Sequence, residues 1–234
     1  MTHLDSVRRS VTVGTACLAL AAAAACVRTS AGNPVAAENG AVAPSSTYRP
    51  PSTGGPDSPA FGVVPTSRAP VPADTVTCAP DQKPRVGFVA KVTDASAPVI
   101  TVPVPDGWSM QGGSGDIGGY LKGPDGMAAT ITIAPTPLDP AKAFDEYADR
   151  MMAEAAVSSI SVLPAELCQY SGQKLLGAWS DTPQNAVEFV DRVVHIWTNS
   201  GNYLASVHTA APTGTTGFDA AAELLSGDFE IRIP

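Results

Sequence analysis

Four polar side chains fall where a strand hairpin could bring them onto one face. Asp191 and His195 lie in the apolar stretch 187–198, and Ser206 and His208 in the stretch 203–210. Side chains alternate across a strand, so residues two or four apart share a face. Asn199-Ser200-Gly201-Asn202 supplies the turn. With Thr198 opposite Tyr203, His195 faces Ser206 and His208 faces Val193. A serine, a histidine and an aspartate on one face invite nucleophilic acyl transfer. Two histidines and a carboxylate invite a metal. Neither chemistry is expected to operate. No Gly-x-Ser-x-Gly elbow occurs in the chain. A serine within a regular strand also lacks converging backbone donors for an oxyanion. The expected role of both histidines is hydrogen bonding to polar neighbours, with no catalytic residue, metal ligand or cofactor.

Two further features carry residue types that chemistry uses. Gly112-Gly113-Ser114-Gly115 has the glycine content of a phosphate loop but lacks the Lys-Ser/Thr pair and the following helix. It is expected to be a mobile loop. Trp108, Trp179 and Trp197 either pack in the core or wall an apolar groove for a lipid or peptide.

Cys26 carries the chemistry of attachment. Arg8 and Arg9 form a positive start, Val11 to Ala25 an apolar run, and Ala23-Ala24-Ala25 leads directly into the cysteine. That order is the outline of a secretory signal with a small-residue cleavage site. The cysteine after it makes the segment resemble a bacterial lipoprotein signal, although Ala23 stands where such signals usually carry Leu. The resemblance implies that residues 1–25 are removed and that Cys26 becomes the acylated N-terminus. The other reading is an ordinary signal peptide, with Cys26 in the mature tail. The apolar run is about 15 residues, short of the ~18 to 20 needed to span a bilayer.

The whole chain carries net charge −8. Without Arg8, Arg9 and Asp5, 12 basic residues face 21 acidic ones. An acidic domain without basic clusters excludes nucleic acid as a partner. It also excludes attachment by charge to anionic lipid heads. Membrane association must then come from the lipid on Cys26. Of the four cysteines, Cys17 leaves with the signal and Cys26 is acylated. Cys78 and Cys168 remain in an oxidising setting, where a disulfide is the default. Two free thiols or a two-thiolate metal site are the alternatives, and neither cysteine has a partner at zinc spacing.

These residues need elements to hold them. Residues 26–77 are rich in Pro, Ser, Thr, Gly and Ala and poor in large apolar residues. Such a stretch cannot bury enough surface to offset its ordering entropy, so a disordered tether is expected there. Residues 78–234 form the globular domain. Val99 to Val104 reads as a strand near a sheet margin, because Pro98 and Pro103 flank it. Gly123-Pro124-Asp125-Gly126 reads as a hairpin turn between Tyr120-Leu121-Lys122 and Ala129 to Ala134. Asp139 caps a helix with Pro140 in its first turn. Phe144, Tyr147, Ala148, Met151 and Ala155 make its apolar stripe, ending near Ala156. Strands follow at Ser159 to Leu163 and Leu167 to Trp179, the latter bulged at Gly172 or Gly177. After the hairpin come a short helix, Phe218 to Ser226, and a last strand through Phe229, Ile231 and Ile233. The class is α+β, a mostly antiparallel sheet flanked by helices.

The run Ala97-Pro98-Val99-Ile100-Thr101-Val102-Pro103-Val104-Pro105-Asp106-Gly107-Trp108 and the helix start Asp139-Pro140-Ala141-Lys142-Ala143 resemble the LpqN/LpqT family of mycobacterial lipoproteins. So does the plan of lipid signal, Pro-rich tether and single C-terminal domain. The resemblance spans roughly residues 85 to 234. It implies a PsbP-like fold and a role in the cell envelope, in host-cell interaction or in envelope-lipid handling.

The function expected from these readings is a lipid-anchored protein at the extracytoplasmic face of the cell membrane. It would present a non-enzymatic binding domain to a protein partner or host factor. The alternative is a module that binds or helps transfer an envelope lipid, with the acyl chain in an apolar cleft between sheet and helix. A cleft walled by Trp and Met would favour the alternative. A closed core with an exposed apolar patch would favour the first.

Overall fold

A computed structural model describes residues 61–81, 84–182 and 185–234. The elements in chain order are β1 (Thr75–Cys78), β2 (Gly87–Ala90), β3 (Val99–Pro103), β4 (Ser109–Gly112), β5 (Ile117–Lys122) and β6 (Ala128–Pro135). Then come α1 (Pro140–Met152), β7 (Val157–Pro164), β8 (Ser171–Ser180), β9 (Val187–Trp197), β10 (Asn202–Pro212), α2 (Phe218–Leu225) and β11 (Glu230–Ile233). The strands make two antiparallel sheets. The smaller has the order β1-β11-β3-β2, and the larger β4-β5-β6-β10-β9-β8-β7. The class is α+β.

The larger sheet is covered on both faces. Ile131, Ile133, Val194, Ile196, Ala205 and Val207 point to one side, where the small sheet and α2 bring Ile100, Val102, Leu225, Phe229 and Ile231. Leu175, Phe189 and Val193 point to the other, where Phe144, Tyr147 and Met151 of α1 pack on them. β9 is central and so is buried through nine consecutive residues from Phe189 to Trp197. A strand buried on both faces reads as a continuous apolar run rather than an alternation.

The helix begins as its sequence dictates. Asp139 accepts the Lys142 amide at 3.0 Å, and Pro140 occupies the first turn, where its missing N–H costs nothing. It ends at Met152, four residues before the expected Ala156, because the chain turns there to enter β7. The strand at 99–103 lies inside the small sheet between β11 and β2, with its prolines at its ends. Within the glycine-rich stretch, residues 113–116 form the loop between β4 and β5, while Gly112 and Gly119 pair within the hairpin strands. Gly118 and Gly119 sit buried within β5. A Cβ on Gly118 would stand 2.8 Å from that of Ala90, and one on Gly119 2.2 Å from the Phe88 ring. These glycines let the sheets approach. β8 carries no bulge at Gly172 or Gly177, since its register against β7 and β9 is unbroken.

The ordered domain starts upstream of Cys78. Gly62 carbonyl accepts from Gly172 N–H at 2.9 Å, and Val64 N–H donates to Ser171 Oγ at 3.1 Å. Val71 exchanges two hydrogen bonds with the Asn199 side chain. β1 then pairs with β11. Residues 61–71, ahead of β1, are thus a strap on the domain. Composition missed it because its order comes from hydrogen bonds to distant strands and from only two packed apolar side chains, Val63 and Val71. The expected tether from 26 to 60 and the signal at 1–25 lie outside the described residues.

Candidate functional site: a cleft between the helix and the large sheet

The turn of the β9–β10 hairpin is centred one residue earlier than the turn residues implied. Trp197 pairs with Asn202, so Asp191 stands directly opposite His208, His195 opposite Leu204 and Ser206 opposite Val193. The shift is two residues along the pairing. A shift of two keeps every side chain on its expected face. Asp191, His195, Ser206 and His208 therefore share the α1 side of the sheet, but with different partners.

Asp191 and His208 form the centre. His208 Nδ1 lies 2.6 Å from Asp191 Oδ1. Tyr147 Oη donates to Asp191 Oδ2 at 2.9 Å. Asp191 is fully buried, so both oxygens need such partners. Burial, and after it the charge of Asp191, push the Tyr147 phenol well above its usual range, so it stays a donor. Tyr147 comes from the apolar stripe of α1, which places its ring in the core and its hydroxyl on the sheet. The His208 ring stacks on Trp179 at 5.5 Å, and Trp179 stacks on Phe189 at 4.6 Å.

His195 is not part of this group. Its Nε2 lies 3.1 Å from the Leu138 carbonyl in the turn before α1. Burial lowers its basicity. Ser206 and His208 both line a cleft of about 420 Å³ between α1 and the sheet. Thr130 and Thr132 share the floor with them. Met151, Trp179, Leu204 and Ala134 make the apolar walls, and Arg150 of α1 and Glu154 in the turn after it add opposite charges.

The cleft offers binding more readily than nucleophilic catalysis. Ser206 lies in β10, which pairs with β6 on one side and β9 on the other. Its neighbouring amides serve those ladders and do not converge on an oxyanion. Among the described residues, no cluster of three His, Cys, Asp or Glu side chains could hold a metal. Trp108 and Trp197 are buried in the other core, leaving Trp179 as the cleft tryptophan. The sequence pointed to the polar floor but not to Thr130, Thr132 or Tyr147. Their signal was alternation in β6 and the helical stripe, which reads as packing until the two elements are brought together.

Cys78 and Cys168 are joined by a disulfide with Cα atoms 5.8 Å apart. The bridge ties the end of β1 to the turn before β8. Cys26 lies outside the described residues. No helix among the described residues is long and apolar enough to cross a membrane.

No protein-family model matches the chain. No curated protein matches it either. Among solved structures, this α+β domain is similar to one from Mycobacterium tuberculosis. That protein is LpqN, described as involved in cell envelope biogenesis. The TM-score is 0.48 at 20% identity, over 64% of this chain and 91% of that one.

Proposed function

We propose that this chain is a non-enzymatic binding protein of the cell envelope. It is held at the extracytoplasmic face of the membrane through acylated Cys26, with a PsbP-like domain that takes part of an envelope lipid into the α1–sheet cleft. The observation that carries this reading is the cleft itself. Met151, Trp179 and Leu204 wall it, while Ser206, Thr130, Thr132 and His208 give it a hydroxyl-rich floor. Ligand sites are usually such concavities of about 300 to 1,000 Å³, mostly apolar with a few placed polar groups. An acyl segment against the walls and a polar group on the floor fit that division.

The test is displacement of a fluorescent acyl probe from the mature protein. Thr132→Phe fills the floor of the cleft from a half-buried position, and it should abolish binding while leaving the circular dichroism spectrum unchanged. Probe binding that survives in this variant would overturn the cleft as the site. The anchor is tested separately, since Cys26→Ala should release the protein from membranes.

A second reading, presentation to a protein partner or host factor, draws on a different observation. Met152, Val157 and Leu163 are exposed apolar side chains at one margin of the domain.

A further inference from the structure

We propose that two copies of this domain pair edge to edge through β7, around a two-fold axis at Ile160. The inference stands on the strand itself, independently of what the cleft binds. β7 is the outermost strand of the large sheet, hydrogen-bonded to β8 on one side only. Among the described residues nothing pairs with its other side, which presents a row of N–H and C=O groups along an eight-residue strand. The other outer strands, β4, β1 and β2, are four residues each.

Exposed edges are usually blocked by charge, proline or a bulge. β7 has none of these from Val157 to Leu163. Its sequence there is Val-Ser-Ser-Ile-Ser-Val-Leu, and its register against β8 is unbroken. Pro164 falls just beyond this run.

The sequence of the edge also says what covers it. Turned antiparallel on itself about Ile160, the run matches in type at every pair but one. Val157 meets Leu163 of the second copy, Ser159 meets Ser161, and Ile160 meets Ile160. Only Ser158 with Val162 is mixed. A two-fold interface must be self-complementary in this way, whereas a foreign strand imposes no such symmetry. The surroundings agree. Val157 is 69% exposed, Leu163 47%, and Leu176, on the same face of β8, 36%. Pairing sets Val157 against Leu163 at each end of the seam, with the serines between them and Leu176 alongside. The chain carries net charge −8, yet the paired strand carries none, so the approach meets no like charge at the contact. A single ladder with flanking apolar contacts is at the small end of stable interfaces, so association should depend on concentration.

The test uses the mature chain with Cys26→Ser, which removes the acyl anchor. Analytical ultracentrifugation should show a concentration-dependent monomer–dimer equilibrium. Ser161→Lys puts a cation into each half of the seam from a solvent-facing position. It should weaken association by roughly tenfold or more with the melting temperature unchanged. Register is read by cross-linking. Ser159→Cys and Ser161→Cys chains, separately tagged and mixed, should join to each other in preference to themselves under mild oxidation, and Ile160→Cys should join to itself. A monomer at every concentration would overturn the proposal. A dimer indifferent to Ser161→Lys, or cross-links without this register, would do the same.

Discussion

His195 has the hydrogen-bonding role expected of it, but with a partner the sequence did not name. Its type and position suggested a partner for Ser206. The turn, centred one residue earlier, instead sets it opposite Leu204 and against the Leu138 carbonyl. The face was legible in the sequence because strand alternation survives a shift of two. The partner was not, because Asn199-Ser200-Gly201-Asn202 and the flanking Thr198 let the chain turn about either of two adjacent centres. Asp191 was legible as a face-sharing carboxylate, but its pairing with Tyr147 depends on how α1 docks. Burial holds His195 below its usual value of 6.5, with the charge of Arg68 acting in the same direction. The native state therefore binds its proton less readily than the unfolded chain. Its contribution to stability is complete above about pH 6.5 and is lost as the pH falls from there through the lowered value. Melting temperatures measured from pH 8 to pH 5 should fall toward the acid end. In His195→Gln, which keeps a donor for the Leu138 carbonyl, the fall should be shallower. Parallel curves for the two proteins would show that His195 titrates alike folded and unfolded.

At the scale of elements, those with their own signal were legible and those ordered by others were not. α1 announces itself through Asp139, Pro140 and the Phe144–Tyr147–Met151 stripe. The long β9–β10 hairpin announces itself through length and β-branched content. β2 and β4 did not, since four-residue strands such as Gly87–Ala90 and Ser109–Gly112 carry too little pattern to separate from loop. The strap at 61–71 did not either. It is held mainly by backbone bonds, and Gly62 shows how closely it lies. Its φ is +75°, and a Cβ there would come 2.2 Å from the Gly172 carbonyl oxygen. An L side chain is both strained at that φ and without room. Deleting residues 61–71 should therefore lower the melting temperature of the domain by several degrees, and Gly62→Ala should reproduce part of the loss. Deleting 27–58, whose composition gives it nothing to pack, should leave the melting temperature unchanged. An unchanged temperature on deleting 61–71 would return the strap to the tether.

At the scale of the whole molecule, two sheets share one core but are joined by few chain crossings. β1 follows the strap at the N-terminal side and β11 closes the chain, yet they are neighbours in the small sheet. The small sheet is thus assembled from both ends of the domain around the larger one. Native pairing of β1 requires closing a loop across almost the entire fold. The Cys78–Cys168 bond fixes the end of β1 to the turn before β8, across 90 residues. In the chain-entropy account, a cross-link of that span removes about 4 to 5 kcal/mol of disorder from the unfolded state. It acts where the fold most lacks local contacts to do so. For a domain of this size the loss should appear as a melting temperature lower by on the order of 10 °C in the Cys78→Ser, Cys168→Ser double variant. The arrangement also predicts which part loosens first. In the double variant, hydrogen exchange should quicken in β1 and its partner β11 while β9 and β10 stay protected, because the central strands are held on both faces without the bridge. Uniform quickening through both sheets would show instead that the bridge stabilises the fold as a single cooperative unit.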